Sequence, residues 1–109
     1  MLKKKYRLLK RAKFERRLSF TTPFFVFKLA KNEEPLSRFG FIVSKNIDKK
    51  AVARNRIKRQ MRFVIESNLD KIEKGYDMLF VARKEISGKT TAQISKEMLG
   101  ELKKRKLLK

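Results

Sequence analysis

An α+β fold, with helices and strands interleaved around one sheet, is what this sequence predicts. Short runs rich in Phe, Val and Ile alternate with longer stretches whose apolar residues recur every three or four positions. The 109 residues hold no internal repeat, low-complexity tract or Gly/Ser/Pro-rich linker, so residues 1–109 read as a single domain. The apolar share of 41%, with nine Phe, is enough for one modest core, and disordered chains lack that many aromatic and β-branched residues. A compact chain of this length has a radius of gyration of about 13 Å.

The elements follow in order. Arg7 to Leu18 carries an imperfect apolar stripe through Leu8, Ala12, Phe14 and Leu18 and predicts a first helix. Pro23 separates it from Phe24-Phe25-Val26-Phe27-Lys28-Leu29, a strand by its aromatic and β-branched content. Lys31 to Pro35 has turn composition. In Arg38 to Val43 the side chains of Phe39, Phe41 and Val43 share one face at period two, which predicts a second strand. Asp48 to Asn68 reads as a long helix. Gly75 turns the chain into a third strand, Asp77 to Arg83, whose near-continuous apolar run suits a buried central position. Thr90-Thr91-Ala92-Gln93 has the form of a capping box, and Ile94, Met98 and Leu102 repeat every four residues behind it.

The charge is the strongest functional signal. Lys and Arg number 31 against 11 Asp and Glu, a formal net charge of +20. Such an excess opposes compaction unless a polyanion offsets it. Most of it lies in three segments, 1–17, 45–62 and 101–109, at +8, +7 and +4. Three separate basic segments suit a nucleic acid that wraps the protein. A membrane-surface helix would instead set its charge beside one broad apolar stripe.

The stretch Lys49-Lys50-Ala51-Val52-Ala53-Arg54-Asn55-Arg56-Ile57-Lys58-Arg59-Gln60-Met61-Arg62 concentrates this signal. On a helical projection Ala53, Ile57, Met61 and Val64 form an apolar stripe within about 80°. Lys58, Arg62, Asn55 and Arg59 fall opposite it, flanked by Arg54 and Arg56. Solvated helix faces ordinarily mix Glu with Lys at four-residue spacing, yet no acid lies between Lys49 and Gln60. Guanidinium groups bind phosphate bidentately and stack on bases, so this face points to nucleic acid.

Phe41-Ile42-Val43-Ser44-Lys45 followed by Ala51-Val52-Ala53-Arg54-Asn55-Arg56-Ile57-Lys58-Arg59 closely resembles the signature of the bacterial ribonuclease P protein subunit. The basic first segment with Phe14, the Ala82-Arg83-Lys84 strand end and the final amphipathic helix fit the same pattern in the same order. One departure is plain: the family's short Lys-Gly linker before the motif is Asn46-Ile47-Asp48-Lys49-Lys50 in this chain.

The resemblance implies an α/β sandwich, a mixed sheet of about four strands packed with three helices. It includes a short first strand near Ser19–Thr22 and a left-handed β-α-β crossover like that in a domain of a ribosomal small-subunit protein. It also implies two RNA surfaces. Arg54, Asn55, Arg56, Lys58, Arg59 and Arg62 would dock onto a catalytic RNA. Phe14, Lys10, Arg11, Lys28 and Lys45 would hold the 5′ leader of precursor tRNA. Lys28 stands where the family often has an aromatic residue. The protein would assist an endonucleolytic cut made by the RNA, with Mg²⁺ held mainly by RNA and none by the protein alone.

Other residues bear on this reading. Phe14, Phe20, Phe24, Phe25 and Phe27 lie near the basic first segment, and aromatic residues among cations suit single-stranded RNA. Strand alternation sends either Phe25 and Phe27 or Phe24 and Val26 into the core, so at most two of the five are expected to touch RNA. Lys103-Lys104-Arg105-Lys106 reads as a solvated tail. Glu66, Asp70, Glu73 and Asp77 read as charge-balancing surface residues. The chain has neither His nor Cys, which removes the usual general base, the thiol nucleophile and the Cys-type zinc site. Its basic start lacks the apolar stretch of a secretory signal, and its longest apolar run, Met78 to Ala82, is far short of the ~20 residues that span a bilayer. A cytoplasmic protein with no membrane or DNA partner is expected. The alternative function is that of a ribosomal or ribosome-assembly RNA-binding protein, which would co-purify with ribosomes.

Overall fold

Alternation along Phe25-Val26-Phe27-Lys28-Leu29 resolves in favour of Phe25, Phe27 and Leu29, which are buried, while Val26 and Lys28 face the other side of the sheet. The structure, a computed structural model, describes residues 3–8 and 18–109. Four strands, β1 (Leu18–Thr21), β2 (Phe25–Lys31), β3 (Arg38–Ile42) and β4 (Tyr76–Ala82), form one sheet in the order β1-β2-β4-β3. β1–β2 and β2–β4 are antiparallel; β3–β4 is parallel. The parallel pair needs a crossover, and α1 (Ala51–Glu66) supplies it. α2 (Thr91–Lys104) follows β4 and packs against α1. The Cα radius of gyration is 13.0 Å.

Register puts one Phe from each strand in line. Phe20 pairs with Phe27, Phe27 with Phe80, and Phe41 with Phe80. Ring centroids along this row are 6.3, 4.9 and 5.7 Å apart. Cross-strand aromatic pairs of this kind stabilise a sheet by up to about 1 kcal/mol each. Over the row lie Ile57, Met61, Val64 and Ile65 of α1 and Ile94, Met98 and Leu102 of α2, all in one buried cluster.

The second face of the sheet carries Lys28, Leu79 and Gly40 in one row and Val26, Val81 and Ile42 in the next. Gly40 keeps the surface low there: a Cβ on it would stand 2.9 Å from Leu79 Cδ1 and 3.3 Å from Leu8. At one end of this face Asp77, only 7% exposed, accepts two hydrogen bonds from Arg38, from Nε and Nη2, each 2.8 Å, and a third from Asn32 Nδ2 at 2.9 Å. Asp77 is therefore a structural ion-pair partner and not the charge-balancing surface residue expected from the sequence. Hydrogen bonding to Asp77 is also the main reason that the Arg38 pKa rises above its ordinary value.

The described residues hold two α-helices where three helices were expected. Most of the anticipated first helix, residues 9–17, lies outside the described residues, but its two ends are extended. Arg7 bridges Phe39 on the β3 edge, Leu8 N–H donates to Phe39 O at 2.8 Å, and Leu18 opens β1 on the opposite edge. Pairing with edge strands satisfies these backbone groups and removes them from any helix. A short 3₁₀ turn at Lys4–Tyr6 precedes them. β2 also runs on to Lys31, which pairs with Tyr76, so the turn begins one residue later than its composition indicated.

The C-terminus is not a loose tail. Lys106, at φ 60°, ends α2 with bonds from Lys106 N–H to Lys103 O (3.0 Å) and from Leu107 N–H to Leu102 O (2.8 Å). This is a Schellman turn with Lys in the position that favours Gly. It buries Leu107 and lets Leu108 bridge Ile72. Lys103, Lys104 and Lys106 are exposed, whereas Arg105 is half-buried.

Candidate nucleic-acid interface

α1 begins without an acid in its first turn and without a side-chain cap at Lys50. Loop geometry replaces the cap. Asp48 Oδ1 accepts from Lys50 N–H at 2.9 Å, and Arg54 Nη1 reaches back to Asp48 O at 3.0 Å and Lys49 O at 2.8 Å. No described residue from 44 to 50 has a positive φ. The linker thus turns without glycine, and the departure from the family's Lys-Gly is accommodated by Asp48 and Arg54.

Burial of Ile57, Met61, Val64 and Ile65 fixes how α1 is rotated. Asn55, Arg56 and Arg59 are exposed on the side away from the buried stripe, and Lys58 and Arg62 are half-exposed at its margin. Arg54 is half-buried, with two donors engaged by the loop; a guanidinium has five, so three are left. The ion pairs Arg38–Asp77 and Arg105–Glu101 lie away from this group. Cations ranged along two turns of one helix face raise the potential over it and attract phosphate.

The other expected contacts are spread differently. Lys28 is half-buried on the second face of the sheet, between Ser19 of β1 and Leu79 of β4. Lys45 is exposed in the loop after β3. The structure therefore does not bring Lys28 into one cluster with the α1 face. Lys10, Arg11 and Phe14 lie outside the described residues. Of the other Phe near that segment, Phe25 and Phe27 are fully buried. Phe24 is half-buried beneath Lys89 Nζ, 5.6 Å from the ring centroid, and Phe20 lies under Arg105. Sequence reasoning missed Phe63, which is 60% exposed on α1. Its place outside the stripe of Ile57, Met61 and Val64 was the available signal.

A groove of about 360 Å³ runs beside α1, between Lys50, Ala53 and Arg56 on one side and Gly88 and Lys89 on the other. Gln60 closes its floor by donating to Lys89 O and Thr91 Oγ1, each at 3.2 Å. The capping box at Thr90 and Gln93 forms as expected and holds that end of α2. Among the described residues no group of three acids converges to hold a metal ion, and no helix is long and apolar enough to cross a membrane.

Comparison with known proteins adds to this geometry. The ribonuclease P family profile matches residues 2–106. A ribonuclease P protein component from Clostridium kluyveri is 37% identical over 110 residues, covering 95% of this chain and 97% of that protein. One from Bacillus cereus is 35% identical over 108 residues, covering 94% and 93%. The Staphylococcus aureus RNase P protein superposes with a TM-score of 0.84 at 32% identity, over 95% of this chain and 98% of that one. The Thermotoga maritima protein does so with a TM-score of 0.81 at 29% identity, over 90% and 96%.

Proposed function

We propose, because this chain belongs to the ribonuclease P protein family, that the outer face of α1 is its contact with the RNA of that enzyme. The chain is an auxiliary, RNA-binding subunit of a tRNA-processing endonuclease. The observation that carries the proposed contact is the rotation of α1. Its apolar stripe is consumed by the core, which leaves Asn55, Arg56, Lys58, Arg59 and Arg62 directed outward. Arg54 adds donors at the helix start while it holds the preceding loop.

The substrate is precursor tRNA, its 5′ leader held by Phe14, Lys10, Arg11, Lys28 and Lys45. The position of Lys28 on the sheet face away from the helices supports a leader site distinct from the α1 face. The bond is cut by the RNA, with Mg²⁺ held mainly by RNA. A chain without His or Cys, whose buried Asp77 is occupied by Arg38 and Asn32, supports a protein that binds and positions. By neutralising phosphate repulsion between the catalytic RNA and its substrate, the protein lowers the Mg²⁺ that the complex needs. A cytoplasmic site of action follows from that substrate.

Cleavage of precursor tRNA at limiting Mg²⁺, with catalytic RNA and with or without this protein, tests the reading. Rescue of correct 5′-end cleavage is expected. Cleavage by RNase-treated protein alone, or no rescue at any Mg²⁺ level, would overturn it.

A further inference from the structure

Packing does not account for Phe63. Its side chain is 60% exposed, although Met61, Val64 and Ile65 beside it in sequence are buried. Taking Ala53 as zero, Phe63 falls at about 280° around α1, between Arg59 at about 240° and Arg56 at about 300°. Val52, 78% exposed, falls between the same two at about 260°. Val52, Arg56, Arg59 and Phe63 therefore form one line along the helix, about 16 Å long, with apolar tips at both ends of two guanidinium groups.

We propose that Phe63 is a stacking platform for an unpaired nucleotide of the ribonuclease P RNA, with Arg59 and Arg56 holding the adjoining phosphates. This rests on the reading of α1 as the RNA contact. A phenyl ring has no hydrogen bond to offer a base edge or a phosphate. What it presents is a flat apolar face, which matches a base that has left its own stack. Charge complementarity selects RNA over the other occupants of an exposed apolar residue. A symmetric contact with a second copy would press Arg56 and Arg59 against their own images in chains of net charge +20. A lipid surface requires a broad apolar stripe, and two arginines interrupt this one.

The chain contains no Trp, so Phe63→Trp introduces a single indole reporter. Quenching of the F63W emission on adding the catalytic RNA is expected, with little change on adding heparin, a polyanion without bases. F63W is expected to keep wild-type affinity. F63L should bind the RNA about 5- to 150-fold more weakly. The salt dependence of F63L binding should keep its slope, because no phosphate contact is lost. Unchanged far-UV circular dichroism and urea midpoints will show that both variants fold. Wild-type affinity in F63L, equal quenching by heparin, or self-association in sedimentation that F63L abolishes would each overturn the proposal. If Arg59→Ala with Arg62→Ala weakens RNA binding while F63L does not, the stacking assignment alone fails. If neither does, the α1 reading itself fails.

Discussion

The guanidinium of Arg105 lies over the ring of Phe20, 3.6 Å from its centroid, and donates through Nε to Glu101 Oε1 at 2.9 Å. A side chain from the residue that caps the end of α2 thereby clamps the edge strand β1. Arg105→Ala removes the cation–π contact and leaves the buried Glu101 without this donor. Its expected cost is about 1–2 kcal/mol, read as a lower urea midpoint. Arg105→Lys should recover only part of that loss, since an ammonium cannot stack flat on the ring.

Asp77 holds Arg38 and Asn32 together at the end of the sheet's second face. Asp77→Ala is expected to destabilise by about 2–3 kcal/mol, because hydrogen bonds to a charged group are lost from a nearly buried site. Asp77→Asn keeps the shape but loses the charge and should fall between. Denaturant titration of both variants checks the order.

Lys106 occupies left-handed backbone at φ 60°. Lys106→Gly should raise stability by up to about 1 kcal/mol, since glycine adopts that conformation without steric cost. A thermal melt that moves down would contradict the cap geometry.

Arg59→Ala combined with Arg62→Ala leaves the apolar stripe of α1 untouched. Stability should stay within about 0.5 kcal/mol of wild type. Affinity for the catalytic RNA should fall, and the log–log salt slope should become shallower by about 1.4–1.8, from the loss of two phosphate contacts. Titrations between low and moderate salt measure both.

Phe14→Ala should weaken binding of leader-bearing precursor tRNA by about 1–3 kcal/mol, the worth of one stacked base. Mature tRNA should bind as before. An equal loss on both substrates would remove Phe14 from the leader site.

Some of this was legible in the residues and some was not. β3 and β4 could be read because Phe39-Gly40-Phe41 and Met78 to Ala82 carry period-two or continuous apolar signals that tertiary packing reinforces. α1 could be read for the opposite reason, a stripe of Ile57, Met61 and Val64 with a mostly cationic face across from it. β1 was invisible to pattern, since Leu18-Ser19-Phe20-Thr21 is too short to show a period and came only through the family resemblance. Leu18 itself was assigned to a helix because its spacing from Phe14 fits one, while in the fold its partner is Leu29, a long-range pairing that no local window contains. The burial of Asp77 was hidden likewise, because its partners Arg38 and Asn32 are about 40 residues away. Of the RNA face, the cations were plain from composition. Phe63 was missed because an aromatic residue on a helix is ordinarily core.

β4 sits in the middle of the sheet, yet it is the last strand to be made. While the chain is being synthesised, only the β1–β2 hairpin has both of its strands before residue 76 emerges, and α1 is complete before the surface that seats it exists. The sheet can close only when β4 is present between β2 and β3, where it joins Phe25 to Ala82 and Arg38 to Asp77 across long stretches of chain. Such non-local closure is slow compared with helix formation. The sheet therefore depends on seven residues that are made after every strand they join.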